Sequence, residues 1–165
     1  MYTGSVSSAS FWDNLWLKQK NEVNLSKKFD LLVVPCTKKY LPKGSRILEG
    51  GCGPGNYVIS LQNNGYRCVG VDYAQKTIDL LNKKYPDYEF LRADVKHLPF
   101  DKQTFDGYWS LGVIEHDYSG FQEIGAEMKR VLKPNGFLFL TFPYLSPLRK
   151  LKIRLNGYRA YKLTK

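Results

Sequence analysis

The sequence predicts an α/β fold: a doubly wound, mainly parallel sheet of about five strands with helices on both faces. From residue 46 onward, short apolar segments alternate with amphipathic ones, as expected when helices connect parallel strands. A glycine-rich segment follows the first apolar segment, where such sheets turn from strand to helix. We therefore expect one nucleotide-type core with its ligand site where the strands end.

The individual elements follow from local composition and from the residues that end each segment. The helices are predicted at Tyr57–Asn63, Ala74–Lys84 and Phe121–Leu132, with a turn at 134–136 closing the last one. The fifth strand is apolar throughout, which predicts burial on both faces, yet it would form an exposed edge of the sheet. The predicted strands are Arg46–Gly50, Arg67–Val71, Tyr88–Arg92, Phe105–Leu111 and Phe137–Phe142.

The chain divides into three regions. Residues 1–45 form a helical cap or lid region, with helical stretches around Ser8–Lys20 and Leu25–Tyr40. Their aromatic residues, Trp12, Trp16 and Tyr40 among them, either cover a ligand pocket or simply belong to the core. Residues 46–145 form the core, and residues 146–165 are the basic start of an incomplete C-terminal segment.

The net charge of +10 belongs to the ends of the chain. Residues 46–148 carry eleven basic and twelve acidic side chains, whereas residues 149–165 carry seven basic ones and no acid. Such a tail can attract an anionic surface or partner, or it can be a solvated basic helix. It lacks repeated interleaving of aromatic and basic residues, which argues against a nucleic-acid partner.

Several protein classes are disfavoured by composition. No apolar run reaches the roughly 18 residues that a membrane span requires, and the first ten residues show no secretory signal. Three cysteines without CxxC spacing argue against a disulfide framework or a zinc site. These observations predict a cytoplasmic protein without a metal.

The glycine loop carries the first functional signal. Gly51, Gly53 and Gly55 lie between a predicted strand and helix, where the chain must turn sharply and leave room for a ligand. Asp72 ends the next strand, 21 residues after Gly51, within reach of a ribose. Together they predict a ligand that contains adenosine; a purely structural turn is the alternative.

The loop's details distinguish between adenosine ligands. Asn56 stands where a dinucleotide-binding loop has its third glycine, and no lysine of a phosphate-binding loop follows. Glu49 precedes the loop, and its negative charge suits an ammonium or sulfonium better than a pyrophosphate. A strand-end carboxylate satisfied by backbone amides is the alternative interpretation of Glu49.

A series of motifs along the chain supports the same ligand. The segment from Ile47 to Gly55 resembles the first motif of class I S-adenosylmethionine-dependent methyltransferases. The resemblance covers about residues 40–145. Within the family, the sequence is most similar to the branch that includes small-molecule and quinone-biosynthesis methyltransferases. The further matching segments, in order, are Val71-Asp72, Ala93-Asp94-Val95, 98–100, 105–106, 112–116 and 130–136.

The resemblance implies a Rossmann-like fold, S-adenosylmethionine (SAM) as cofactor, S-adenosylhomocysteine (SAH) as product and a small-molecule methyl acceptor. It assigns Asp94 to the adenine amino group, although an Asx turn would also explain this residue. The cofactor-binding residues that it implies are Glu49, Gly51, Cys52, Gly53, Gly55, Asp72, Tyr73, Asp94, Val95, Leu111 and Gly112.

Methyl transfer from a sulfonium is an in-line displacement, so catalysis rests mainly on positioning the acceptor. A general base is needed only when the acceptor must lose a proton. The candidates are His116 and Glu115, after the fourth strand. Packing of His116 against the cofactor is the alternative role.

The chain departs from this family at its C-terminal end. These enzymes continue after the fifth strand through a helix and an antiparallel pair of strands, and residues 144–165 are too few for both. We therefore expect that antiparallel pair to be missing and the chain to be part of a longer enzyme. A non-catalytic SAM-binding module and an NAD-type oxidoreductase remain as alternative functions.

Overall fold

The computed structural model describes residues 8–18, 31–117, 120–142 and 147. Its centre is one five-stranded sheet in the order β3-β2-β1-β4-β5, and every pairing between these strands is parallel. The predicted α/β fold is confirmed. The strands are β1 (Arg46–Gly50), β2 (Arg67–Asp72), β3 (Glu89–Arg92), β4 (Phe105–Leu111) and β5 (Leu132–Thr141).

The helices connect and flank these strands. The first predicted helical stretch forms a helix of ten residues, and the second forms one of eight; residues 19–30 lie outside the described part of the chain. A short 3-10 helix, Ile114–His116, follows β4. The helices are α1 (Ala9–Lys18), α2 (Val33–Tyr40), α3 (Asn56–Asn63), α4 (Gln75–Lys84) and α5 (Gln122–Val131).

Two apolar layers, one on each face of the sheet, stabilise this arrangement. On one face, Val33 of α2, Val58 of α3 and Ile78 of α4 belong to one buried cluster. On the other face, Ile124 and Met128 of α5 belong to a second. Each amphipathic helix buries its apolar stripe against the sheet, which removes hydrophobic surface from water. Helices therefore cover both faces, as predicted.

Strand β5 differs from its prediction in two ways. It begins at Leu132 instead of Phe137, because the predicted turn at 134–136 lies within the strand as an irregularity in its pairing with β4. It is not buried on both faces: Leu138 is 46% and Leu140 38% exposed. Within the described residues, β4 is the one strand that pairs with β5, so β5 is an edge of the described sheet, as predicted.

Tyr40 lies at this edge of the sheet and not at a ligand pocket. Its ring centroid is 5.2 Å from that of Phe137 and 6.0 Å from that of Phe139. The idea that Tyr40 belongs to a lid is therefore wrong, because the end of α2 packs beside β5.

The strand order creates a crevice next to β1. The chain runs outward from β1 to β2 and β3, and β4 then returns to the other side of β1. Connections leaving the carboxyl ends of β1 and β4 diverge at such a switch point, which is where open α/β sheets bind ligands.

Within the described ranges, no helix is both long and apolar enough to cross a membrane. The predicted C-terminal segment 146–165, with its basic tail, lies outside these ranges apart from Pro147.

Candidate functional site

A cavity of about 750 Å³ opens at the carboxyl edge of the sheet, beside this switch point. Loops after β1, β2, β3 and β4 line it, together with one face of α1. Its size suits a ligand such as a nucleoside derivative. Of the residues predicted to take part, those that line it are Glu49, Gly51, Cys52, Gly53, Asp72, Tyr73, Asp94, Val95, Leu111, Gly112 and His116.

The glycine loop forms the floor of the cavity next to α3. Gly51 and Gly53 have φ values of 75° and 49°, in the left-handed region that favours glycine. A Cβ on Gly51 would lie 2.5 Å from Cγ2 of Val113, so a side chain there would collide with the loop after β4. No side chain fits at Gly51, so a ligand in the cavity can lie directly against its backbone.

Gly55 has a different position from the other two loop glycines. It does not line the cavity; a Cβ on it would lie 2.7 Å from the Phe90 ring, inside the core. It precedes α3 with a φ of 76°. Its location fits close packing of α3 on the sheet, a role known for the third glycine of nucleotide-binding loops.

Asp72 ties the glycine loop to the start of α4. Its carboxylate is 6% exposed and accepts hydrogen bonds from the backbone N–H groups of Gly53, at 2.7 Å, and Ala74, at 2.9 Å. Burial raises the pKa of Asp72, while the N–H groups of Ala74, Gly53 and Tyr73 oppose that rise. The same carboxylate therefore orders the loop and faces the cavity.

Glu49 is the other buried acid of the cavity. It is 2% exposed, and its carboxylate accepts a hydrogen bond from the backbone N–H of Val58 in the first turn of α3. Burial raises the pKa of Glu49 well above its usual range, and the negative charge of Asp72 adds to the rise. Its Oε2 has no hydrogen-bond partner among the described residues. A cationic ligand group would compensate this buried acid.

Asp94 lies just after β3, on an exposed part of the cavity wall. Its Oδ1 accepts from the backbone N–H of Lys96 at 2.9 Å, so the Asx turn considered as an alternative is present. The turn and a role toward the adenine amino group are compatible, because one carboxylate has several acceptor positions.

Helix α1 brings two tryptophans to the cavity. Trp12 contacts His116 edge to face, with ring centroids 4.8 Å apart, and stacks on Trp16 at 5.7 Å. The Trp16 ring lies against the glycine loop, its Cζ2 atom 3.0 Å from the position of a Cβ on Gly53. Both side chains line the cavity, so α1 contributes part of its wall.

The sequence did not identify several residues of the cavity wall. Lys96 follows β3, and its ammonium lies 2.8 Å from Asp117, in the loop after β4. This ion pair joins two loops that are adjacent only in the folded chain, so no local pattern indicates it. Tyr57 and Ile124 are further such residues, whereas Asn56 and Val113 belong to segments that the sequence singled out without predicting them as binding residues.

The remaining predicted groups are placed as follows. Glu115 does not line the cavity; its Oε1 lies 3.3 Å from the position of a Cβ on Gly112. Burial raises the pKa of the Cys52 thiol well above its usual range, which keeps it protonated and unreactive. No cluster of His, Cys, Asp and Glu suited to a metal ion occurs within the described residues.

Comparison with known proteins shows which family has this arrangement of strands and loops. The family described as "Methyltransferase domain" matches residues 48–140, more than half of the chain. The chain belongs to this family. Its membership confirms the resemblance to class I SAM-dependent methyltransferases and with it SAM as the cofactor, in preference to a dinucleotide.

One curated methyltransferase and two solved structures illustrate how similar this chain is to known proteins. The phthiotriol/phenolphthiotriol dimycocerosates methyltransferase of Mycobacterium tuberculosis is 34% identical over 105 residues, which are 61% of this chain and 37% of that enzyme. The chain thus spans well under half the length of that relative. Among solved structures, the PH0226 protein of Pyrococcus horikoshii has a TM-score of 0.66 at 27% identity, covering 84% of this chain and 68% of that one. A SAM-dependent methyltransferase of Methanosarcina mazei has a TM-score of 0.58 at 27% identity, covering 63% and 55%.

Proposed function

We propose that the protein transfers a methyl group from SAM to a small, largely apolar acceptor in the cavity beside the glycine loop. The observation that carries the proposal is the meeting of Glu49, Asp72 and Asp94, from the ends of three parallel strands, around one cavity. A buried pair of acids suits the ammonium and sulfonium of SAM, and an acid at the end of β2 suits a ribose. We assign Asp94, which lines the same cavity, to the adenine amino group, as the family resemblance implies.

The remaining predicted cofactor residues have supporting parts in this proposal. Gly51 and Gly53 let the backbone approach the ligand, and Cys52 fills the space beneath it. Tyr73, Val95, Leu111 and Gly112 form the walls around the nucleoside. Gly55 acts indirectly, by holding α3 close to the sheet.

The acceptor enters beside the loop after β4. Trp12, Val113 and Ile124 give this part of the cavity an apolar wall, which favours an acceptor with hydrocarbon character. The mycobacterial relative is named for phthiotriol and phenolphthiotriol dimycocerosates, which agrees with an apolar acceptor. The transfer forms a bond from the acceptor atom to the methyl carbon as the carbon–sulfur bond breaks, leaving SAH.

His116 is the residue we assign to proton removal when the acceptor is a hydroxyl. It lines the cavity and its ring contacts Trp12, whereas Glu115 is not among the lining residues, so we assign it no more than an orienting role in this turn. His97 is the matched control, because it is exposed and absent from the cavity. With tritiated SAM and a panel of hydroxylated apolar acceptors, we expect His116→Gln to lower turnover at least tenfold and His97→Gln to change it less than twofold.

Cofactor binding is tested by calorimetric titration of the chain with SAM, SAH and NAD. We expect heat with SAM and SAH, none with NAD, and loss of binding in Asp72→Ala. Asp79→Ala is the control, since Asp79 is exposed on α4. Binding of NAD without binding of SAH would overturn the proposal, and binding of SAH without methyl transfer to any acceptor would favour a SAM-binding module.

We also propose a cytoplasmic location and contact with an anionic surface. The three cysteines are free, in keeping with a reducing compartment. The seven basic side chains of residues 149–165 supply the charge for that contact. Sedimentation with anionic but not neutral vesicles, weakened by added salt, is the expected result.

A further inference from the structure

Three buried polar atoms with no partner among the described residues lie on the wall of the cavity. They are Oε2 of Glu49, Oδ1 of Asn56 and Nε1 of Trp16. Buried polar atoms in folded proteins are nearly always hydrogen-bonded, so each exception requires an explanation. Here two acceptors and one donor of this kind line the same cavity, which indicates a ligand that supplies the matching donor and acceptor.

The three atoms belong to one end of the cavity. Glu49 accepts from the first turn of α3, and Asn56 is the first residue of that helix. Trp16 approaches the same loop from α1: its Cε2, the carbon bonded to Nε1, lies 3.1 Å from the position of a Cβ on Gly53. The indole N–H is therefore placed beside the glycine loop.

We propose that Trp16 is a specificity-determining residue that donates its indole N–H to the carboxylate of the cofactor's amino-acid end. The inference rests on the proposed function, since it takes SAM to be the ligand. An amino-acid end presents an ammonium and a carboxylate a few bonds apart. The ammonium can donate to Oε2 of Glu49 and Oδ1 of Asn56, and the carboxylate is left to accept from Trp16.

This assignment gives α1 a chemical role in ligand choice. Trp16 lies outside the matched family segment 48–140, and α1 is held over the cavity by Asp13, which accepts from Thr77 of α4. Ligands without a carboxylate gain nothing from the indole N–H. The chain should therefore prefer SAH over its decarboxylated analogue, and part of that preference should depend on Trp16.

Calorimetric titration of the full chain tests this with three ligands: SAH, decarboxylated SAH and 5′-methylthioadenosine. Trp16→Phe keeps an aromatic ring near the loop but removes the N–H together with part of the indole, so the ligands without a carboxylate serve as the control for lost packing. We expect this variant to bind SAH at least about tenfold more weakly, because a hydrogen bond to a charged group is lost. Its affinity for the other two ligands should change less than twofold.

Two outcomes would overturn the inference alone: SAH binding unchanged in Trp16→Phe, or equal weakening of all three ligands, which would indicate packing. Failure of the unmodified chain to bind any of the three would overturn the proposed function as well. A measurement on the unmodified chain tests the same contact even if the variant does not fold. In its nitrogen-15 NMR spectrum, the Trp16 indole proton should shift downfield with SAH and not with decarboxylated SAH; an equal response to both would contradict the proposal.

Discussion

Asp13 and Thr77 join α1 to the start of α4 across 64 positions of sequence. The Oδ1 atom of Asp13 accepts from the backbone N–H of Thr77 at 3.1 Å and from its hydroxyl at 3.2 Å. Both residues are buried. Because the first N–H groups of a helix have no partner within the helix, Asp13 caps α4 from outside. One buried carboxylate thus links α1 to the first turn of α4, in addition to the contacts that Trp12 and Trp16 make at the cavity.

Replacing Asp13 with alanine should therefore loosen α1. The change leaves a buried N–H and hydroxyl without their acceptor, which costs about 1–3 kcal/mol. We expect faster hydrogen exchange across residues 9–18 and a lower urea midpoint. Asp79→Ala is the control on α4, the helix that Asp13 caps, where an exposed carboxylate should matter by less than about 0.5 kcal/mol. Equal effects of the two changes would contradict the capping role.

The two glycines Gly55 and Gly44 allow packing to be separated from backbone strain. Both have positive φ, 76° and 83°, so alanine costs about 1–2 kcal/mol at either position. A Cβ at Gly44 meets nothing within 4 Å, whereas at Gly55 it lies 2.7 Å from Phe90. Gly55→Ala should therefore lower the free energy of unfolding by a further 1–3 kcal/mol or so. Urea denaturation of both variants measures the difference, and equal losses would show that the core accommodates the methyl group.

Glu49 should lower the stability of the ligand-free protein at neutral pH. Burial raises its folded-state pKa above the value of about 4.3 expected in an unfolded chain. Between these two pKa values the folded state binds the additional proton, so the free energy of unfolding falls as pH rises, until Glu49 is ionised in both states. Glu49→Gln removes this penalty and should raise the Tm at pH 7, by about 2–4 °C for each kcal/mol regained.

The same change should weaken cofactor binding, because in the proposed binding mode the Glu49 carboxylate compensates the ammonium of the ligand. Calorimetric scans between pH 5 and 8, with and without SAH, measure both effects. We expect a higher Tm without ligand and a smaller increase with SAH. A lower Tm in both conditions would mean that Glu49 is needed for the fold and not for the ligand.

The exposed edge strand should make the chain self-associate. Leu138 and Leu140 of β5 are 46% and 38% exposed, and among the described residues a strand pairs with β5 on one side only. Leu138→Lys should lower the fraction of dimer and larger species in sedimentation velocity. Leu80→Lys is the control: Leu80 is 42% exposed, but it lies on α4. Equal effects of the two lysines would indicate general charge repulsion instead of edge pairing.

Local sequence predicted some elements closely and others less well. Strand β1 has the predicted bounds Arg46–Gly50, because Gly44 before it and Gly51 after it end the extended segment on both sides. The start of β5 was placed five residues late, since pairing of Leu132 with Phe105 includes the turn at 134–136 within the strand. Phe105 and Leu132 are distant in sequence, so the composition around either residue does not indicate that they pair.

Local sequence was enough to predict the glycine loop, the alternation of strands and helices, and the acids Glu49, Asp72 and Asp94 at or just after three strand ends. In a parallel sheet the strand ends meet at one edge, so residues far apart in sequence could be assigned to one site. Tertiary structure alone decided that Trp16 lies on the loop, that Asp13 anchors α1 and that Gly55 faces the core. These are contacts between separate elements, and their geometry depends on how the helices pack on the sheet.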